Sequence, residues 1–550
     1  MKPMQILVIG GVAAGASFAA RARRLSEGAQ ITVIERGPDV SFANCGLPYH
    51  IGGEIPARDV LAVQTPASLK ALLNLEVRTR CEAIKIDREG KRVLVRDLQT
   101  EKSEWLAYDK LMLSPGASPR VPEIPGIEDS RIFTLRNLVD MDRIAAACES
   151  GMRGVVVGAG FIGLEMAEQL HRKGLTVEVV QFDSQVLSQI DAKMAMLLEN
   201  ELIHHDIKLH LNNEIVRFDG KDSVLHCHLA SGGRLDADFV VMSIGVLPET
   251  SLAREAGLKL GERGHIVVSD FMQTSDPDIY AAGDAIETAD RLFGDQVNVP
   301  LGGPANRQGR VAADHLFLGE RARPYPGSIA TAIVRVFEVA AGTTGWTADR
   351  LKKAGRSFGI ATVNDYQHAS YFPGAKPLTL TILWDQKTGV LLGAQAAGYE
   401  GVDKRLDVLA TAISAKMTVE DITHLELSYA PPFGSAKDIV NIAGFAATNQ
   451  RDGLVTTVFE LPQDPNVQLI DVRGKVLSDA NPVPGAINIP MPTLRDNLHR
   501  LDRNRPVVTV CALGKNSYFA SRVLSQNGFD VKSLDGGIKM VLNPRNPTKM

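Results

Sequence analysis

The segment "RGVVVGAGFIGLEMAEQLHRKG" constrains this chain more than any other. Three valines lead into Gly158, Gly160 and Gly163, and a helical pattern follows at once. A strand that ends in G-x-G-x-x-G and opens a helix needs its glycines for a tight turn, for close approach of a pyrophosphate to the backbone, and for helix–strand packing. The helix N-terminus then faces the phosphates. A second copy stands earlier, where "QILVIGGVAAGASFAARARRL" keeps Gly10 and Gly15 but has Val12 at the middle position. Glu35 closes the next strand, about 20 residues on, where a carboxylate meets ribose hydroxyls. Two such units, with strands alternating with helices, indicate an α/β chain with two Rossmann-like dinucleotide-binding domains in tandem.

The strand after the second turn ends at Gln181, where an acidic residue is usual. Its amide can still bond a 2′-hydroxyl, and no Arg or Lys stands between Gln181 and Gln189 to receive a 2′-phosphate. NADH is therefore expected over NADPH. From about residue 326 longer strands, "LTLTILWD" and "VLLGAQAAG", indicate a third, α+β unit. The polar stretch "ATNQRDGL" reads as a linker, and "VQLIDVR" opens a last α/β pattern. The expected domains are 1–150 with 276–325, 151–275, 326–446 and 459–550, with a linker at 447–458.

Bulk properties exclude several classes. Over 550 residues, 60 Lys+Arg against 64 Asp+Glu give a formal charge of −4, so no global basic excess points to nucleic acid or an anionic membrane. The first apolar run is broken by Gly10, Gly11 and Gly15 and followed by arginines, which reads as strand and turn rather than signal peptide or membrane span. The five cysteines, Cys45, Cys81, Cys148, Cys227 and Cys511, show no CxxC spacing. A disulfide framework or a metal site is not expected, and a reducing cytoplasm is.

Two further turns, in "LMLSPGASPR" and "TSDPDIYAAGDA", complete a pattern. With them the sequence resembles, over residues 5–446, the flavoprotein disulfide reductases with two dinucleotide-binding domains. That resemblance implies FAD in the first site, held by Gly10, Gly15, Glu35, Ser114, Gly116, Gly283 and Asp284, with Asp284 on the ribityl chain. It implies the nicotinamide nucleotide in the second, held by Gly158, Gly160, Gly163, Gln181 and Gly245.

Most members of that family carry two cysteines five residues apart, but Val40 and His50 flank Cys45 at that spacing. Cys45 acts alone, so disulfide chemistry requires a mixed disulfide or persulfide with a second molecule. "SFANCGLPY", "ASYFPGAKPL" and "LELSYAPPFGSAKDIVN" resemble the single-cysteine branch: coenzyme A disulfide reductases, persulfide reductases, and NADH oxidases or peroxidases. The resemblance implies a homodimer in which Tyr371 and Tyr429 stand over the partner's thiol. It also places coenzyme A against Ser17, Arg21, Arg24, Ser41, Asn44, Asn306 and Lys437. A phenol with an unperturbed pKa near ~10 is a hydrogen-bond donor at neutral pH and suits a departing thiolate.

"VVTVCALGKNSYFASRVL" reads as a strand, a six-residue loop from Cys511 and a helix. Loop amides and the helix N-terminus would favour the thiolate and cradle an anionic persulfide. With "LIDVR", "VPGAINIP" and "LDGGI" this resembles a rhodanese domain whose sulfur carrier is Cys511. Asn516 stands where that loop usually has Arg, so a persulfide or polysulfide is expected as sulfur donor rather than thiosulfate. The whole resembles coenzyme A disulfide reductase–rhodanese fusions, which implies NADH-dependent reduction of coenzyme A persulfide, coenzyme A disulfide or polysulfide. Two alternatives stay open: a water-forming NADH oxidase or peroxidase working through a sulfenic acid, and a sulfur carrier or redox sensor without turnover.

Overall fold

The structure, a computed structural model, describes residues 2–541 apart from residue 222; residues 542–550 of the last expected domain lie outside the described residues. The chain forms two units, Met1–Ser184 with Asp206–Ala330, and Gln185–His205 with Thr331–Met550.

The first unit holds two five-stranded parallel sheets of the same design. One has the order Ile279–Ala281, Lys110–Leu113, Gln5–Ile9, Gln30–Ile34, Glu76–Arg78. The other has the order Lys208–His210, Thr176–Val180, Arg153–Val157, Phe239–Met242, Ile132–Thr134. The strands that feed the glycine turns, Gln5–Ile9 and Arg153–Val157, are central and buried beyond their first residue. Burial on both faces is what makes them continuous apolar runs rather than alternating ones. Each central strand is flanked on one side by the next strand of its sheet, Gln30–Ile34 or Thr176–Val180, and on the other by one from much later in the chain, Lys110–Leu113 or Phe239–Met242, so its C-terminal end opens at the switch point where ligands bind doubly wound sheets. Three-stranded antiparallel sheets, Cys81–Asp87 to Ser103–Ala107 and Ile215–Lys221 to Arg234–Ala237, complete the two halves.

Helix Ala13–Leu25, rich in alanine, packs closely on helix Gly302–Leu318. A Cβ at Gly309 would overlap the carbonyl oxygen of Ala14, so the crossing depends on glycine there. Within "RARR", Arg23 is buried and donates to the carbonyls of Leu73, Ser26 and Asn74, which makes it a structural tether.

In the second unit an antiparallel sheet runs Ala332–Val336, Val339–Gly345, Leu391–Gly398, Pro377–Asp385, Phe358–Tyr366. Helix Ala192–His204, which the sequence places inside the second nucleotide domain, groups with this sheet instead. The physical link is reciprocal: Gln395, fully buried on the sheet, accepts from the Asp191 N–H at 2.7 Å and donates to the Asp191 carboxylate at 2.5 Å. Helix Ile439–Arg451, started by an Asp438 capping box, extends through the first part of the stretch expected as linker. The last domain is a parallel sheet in the order Thr456–Val458, Val531–Leu534, Val507–Val510, Gln468–Asp471, Ile487–Asn488. The α/β and α+β classes expected from the sequence are the ones observed.

Candidate functional site

The two glycine turns are built alike. Gly10 and Gly158 have φ of +91° and +97°, in the left-handed region that a side chain resists. A Cβ at Gly15 would overlap the Gly10 carbonyl, and one at Gly163 the Gly158 carbonyl. A Cβ at Gly160 would meet no protein atom within 4 Å, which leaves the backbone there open to a ligand. Ser114, one of the residues expected around the cofactor, donates its hydroxyl to the carbonyls of Ile9 and Gly10 at 2.8 and 2.9 Å and so braces the turn. Ser243, which the sequence did not single out, braces the second turn through Val157 and Gly158.

At the end of each second strand an acceptor takes the first free N–H of the turn. The Glu35 carboxylate accepts from Gly11 and Gly37 at 2.9 and 2.8 Å. Gln181 Oε1 accepts from Ala159 at 2.8 Å, while its Nε2 donates to Asp183 Oδ2 at 3.0 Å. An acidic group thus stands two residues after Gln181 and is hydrogen-bonded to it, a neighbour that spacing alone did not reveal.

Asp284 follows Gly283, whose φ is +84° and whose N–H donates to Gln308 Oε1 at 2.9 Å. Burial pushes the Asp284 carboxyl above the usual carboxylate range, against the pull of Arg136. Gly116 and Gly245, at φ +73° and +106°, begin the paired strands Ala117–Pro119 and Val246–Pro248. Glycines, Glu35 and Asp284 together fit a flavin dinucleotide, and the second turn fits a nicotinamide dinucleotide.

Cys45 lies in the short 3₁₀ turn Asn44–Gly46, which runs straight into helix Leu47–Ile51 with Pro48 in its first turn. The four other cysteines are buried, whereas Cys45 is exposed. Helix Leu47–Ile51 packs against helix Phe161–Arg172, which begins at the second glycine turn. A Cβ at Gly52 would overlap Gln169, and Tyr49 donates to Glu165 at 3.2 Å. The thiol is thereby fixed beside the helix of the second nucleotide site. Desolvation, then the charges of Glu165 and Asp284, push the Cys45 thiol up from its ordinary value. Glu165 is a functional neighbour that sequence reasoning missed; its only signal was its place just after G-x-G-x-x-G. His50, at the vacant partner-cysteine position, bonds the Ile55 carbonyl through Nδ1 at 2.7 Å.

Among the residues expected around coenzyme A, Ser17 Oγ donates to Asn306 Oδ1 at 2.5 Å, and Asn44 Oδ1 lies 3.8 Å from Cys45 Sγ. Ser41 holds φ +49° and donates its N–H to the Gly11 carbonyl. Arg21 is paired with Asp314 at 2.6 Å, while Arg24 is exposed. Lys437 and the tyrosines belong to the second unit. There Tyr371 and Tyr429 are exposed and their hydroxyls are 3.1 Å apart. That hydrogen bond raises the Tyr371 pKa, which keeps it a donor at neutral pH.

Cys511 is buried at the end of strand Val507–Val510. The helix starts at Lys515, so the loop is shorter than expected and Asn516 falls in the first helical turn. Gly514 donates its N–H to Cys511 Sγ at 3.2 Å, and Ser517 Oγ lies 3.5 Å from the sulfur.

Two dinucleotide folds in series, with one exposed thiol packed against the second, define a class: oxidoreductases that pass electrons between a nicotinamide, a flavin and a sulfur centre. The chain belongs to the pyridine nucleotide-disulphide oxidoreductase family, whose main part matches residues 4–309 and whose dimerisation domain matches residues 331–438. A rhodanese-like domain matches residues 455–543. It is an enzyme of that family, which works with FAD and NAD(P)H. The coenzyme A disulfide reductase of Staphylococcus haemolyticus is 35% identical over 446 residues, 80% of this chain and 99% of the relative. The reduced CoADR-RHD of Bacillus anthracis superposes with a TM-score of 0.95 at 42% identity, over 98% of each chain. An NAD-dependent persulfide reductase from A. fulgidus gives 0.93 at 36% identity, over 98% of this chain and 100% of the other.

Proposed function

We propose that the protein is an NADH-dependent reductase of coenzyme A persulfide, coenzyme A disulfide or polysulfide, working as a cytoplasmic homodimer. The observation that carries this reading is the solitary, exposed Cys45 in a chain that holds a second sulfur centre at Cys511. As a thiolate, Cys45 Sγ attacks the coenzyme A sulfur of the substrate. One S–S bond forms and the substrate's S–S bond breaks, releasing coenzyme A from a disulfide or hydrosulfide from a persulfide. Tyr371 and Tyr429 of the partner subunit donate hydrogen bonds to the departing thiolate, and a proton follows. FAD, which Gly10, Gly15, Glu35 and Asp284 would hold, would supply the two electrons drawn from NADH that resolve the mixed disulfide into coenzyme A and the Cys45 thiolate.

Ser17, Asn306, Asn44 and Ser41 line the approach to the thiol, and Arg24 with Lys437 meets the phosphates of coenzyme A. Arg21 acts with Asp314 as a fixed pair rather than as a free cation. The Cys511 thiolate attacks a sulfane sulfur of polysulfide, forming a Cys511 persulfide as the shortened polysulfide leaves, and the coenzyme A thiolate then takes the outer sulfur, forming coenzyme A persulfide and freeing the Cys511 thiolate. The preference for NADH is supported by Asp183, whose carboxylate, steadied by Gln181, repels a 2′-phosphate. No helix among the described residues is long and apolar enough to cross a membrane.

The test is NADH oxidation with coenzyme A disulfide and with polysulfide plus coenzyme A, compared with oxygen and peroxide. Cys45→Ser is expected to lower sulfur-dependent turnover about a thousandfold or more, and mass spectrometry of the wild type is expected to find coenzyme A on Cys45. Hydrosulfide release by Cys45→Ser at the wild-type rate sinks the reading; faster turnover with oxygen or peroxide favours an oxidase.

A further inference from the structure

The loop that holds the Cys511 sulfur is tied down carbonyl by carbonyl. Cys511 and Ala512 give their carbonyls to the N–H groups of Ile538 and Lys539, at 2.9 and 3.2 Å. The Gly514 carbonyl accepts from Ser517 Oγ at 2.8 Å. All of these partners lie within the rhodanese-like fold. The Leu513 carbonyl is different: it accepts from Asn364 Nδ2 at 3.2 Å, and Asn364 stands on strand Phe358–Tyr366 of the dimerisation domain. The same amide nitrogen donates to the Gly536 carbonyl at 2.9 Å. Asn364 Oδ1 accepts from Thr379 Oγ1 at 2.7 Å, and Thr379 in turn faces Lys539 Nζ at 3.4 Å. Both ends of the Asn364 amide are therefore committed, which fixes its orientation.

The Leu513 carbonyl and the Gly514 N–H belong to one peptide unit. Because that unit is planar, fixing the oxygen fixes the direction of the N–H at its other end, and that N–H is the one that donates to Cys511 Sγ at 3.2 Å. A donor on a carbonyl also polarises its peptide and strengthens the N–H as a donor. Gly514 sits at φ +94°, a conformation glycine adopts freely, so the backbone itself does little to hold the peptide once a restraint is lost. A Cβ at Gly537 would come 2.6 Å from the Ala512 carbonyl oxygen and 2.5 Å from the Gly514 nitrogen, so the neighbouring loop blocks relaxation in one direction.

The geometry points to Asn364 as a positioning residue for the sulfur-carrying site: it aims the Gly514 N–H at Cys511 from outside the rhodanese-like domain. The dimerisation-domain sheet is then part of that site, and the domain in isolation lacks one of its supports. The inference rests on Cys511 as sulfur carrier only for its biological meaning; the positioning itself is read on the free thiol.

The experiment measures alkylation of Cys511 in the full-length holoenzyme across pH, site by site by peptide mass spectrometry. Asn364→Ala and the bulkier Asn364→Leu are compared with wild type, with flavin content and thermal midpoint as checks of folding. Weakening the N–H···S bond is expected to reduce the thiolate fraction about three- to tenfold, which moves the pH midpoint up by about half to one unit. A loosened loop without this effect changes the limiting rate and leaves the midpoint in place, which overturns the proposal. Thr379→Val, which removes the donor to Asn364 Oδ1, is expected to move the midpoint the same way by less, and serves should the Asn364 variants not fold. Sulfane sulfur on Cys511 after polysulfide treatment is scored in parallel. A shifted midpoint with no sulfur loaded on wild type supports the positioning and removes the carrier reading; loaded sulfur with unmoved midpoints does the reverse.

Discussion

At Cys45 the surrounding protein works against the reactive form of the thiol. Desolvation and the negative charges of Glu165 and Asp284 raise its pKa, so within this chain the thiolate is disfavoured and its share grows as pH rises. Glu165→Gln removes one of those charges, keeps the shape, and leaves Tyr49 an amide oxygen to donate to. The pH midpoint for alkylation of Cys45, and for the onset of turnover, is expected to fall by several tenths of a unit; stopped-flow alkylation across pH measures it, and an unchanged or raised midpoint contradicts the charge argument. Glycines at 10, 15, 158 and 163 were readable because backbone geometry demands that residue type at fixed spacing, and Glu35 because an acceptor at the end of the next strand sits at a fixed distance from the turn. Glu165, Ser243 and Asp183 were not, because a side chain's neighbours across a fold leave no spacing signature in one sequence. Gln181 illustrates the limit: its position was found, but its work of steadying Asp183 needed coordinates.

Among the elements, strand Phe358–Tyr366 has the most to manage. It is the last strand of its sheet, and an open edge is a liability that proteins cover or charge. Here the Thr362 N–H donates to Asp535 Oδ1 at 3.0 Å, two residues from the Asn364 contacts, so the "LDGGI" loop closes part of the edge. Asp535 is buried, and its Oδ2 has no hydrogen-bond partner among the described residues. Burial pushes its carboxyl up to about 6, with the Thr362 hydrogen bonds and the Lys193 charge opposing the rise. Lys193 is pulled the other way, its pKa lowered by desolvation despite Asp535 and Glu460. The sign follows from linkage. A carboxyl raised in the folded state is best tolerated protonated, so its contribution is fully present below about pH 4 and is lost as pH climbs toward 6.

Asp535→Asn keeps the Oδ1 acceptor and carries no charge. Relative to wild type it is expected to gain stability between about pH 4 and 6 and to hold a constant advantage above, at most about 3 kcal/mol. Differential thermal melts across that range test this; a constant difference at all pH values contradicts it. In the sequence "LDGGI" stands out through its resemblance to a rhodanese domain, whereas the segment that forms strand Phe358–Tyr366 carries no such mark. Nothing in either segment says that one caps the other, since residues 362 and 535 are joined only by the fold.

For the whole molecule the arrangement of parts becomes an experiment on connectivity. Cys45 lies in the first unit, and the exposed, hydrogen-bonded hydroxyl pair of Tyr371 and Tyr429 in the second. In the proposed homodimer each active site takes its thiol from one subunit and its phenols from the other, a closed two-fold arrangement. Two variants separate the contributions: Cys45→Ser, and the double change Tyr371→Phe with Tyr429→Phe. Each homodimer is expected to be slow with coenzyme A disulfide, the first through loss of the nucleophile and the second about tenfold or more through loss of donors to the leaving thiolate. In a hybrid dimer one site lacks both sets of groups, while the other receives an intact thiol from one subunit and intact phenols from its partner. Random assortment of equal amounts therefore restores about a quarter of the wild-type sites. Were thiol and phenols supplied by the same subunit, no hybrid site would be complete and mixing would restore nothing. Co-expression with two different affinity tags, isolation of the doubly tagged dimer, and NADH-coupled turnover distinguish the two: about half of wild-type activity in the purified hybrid supports the shared site, and turnover no higher than the mean of the two parents refutes it.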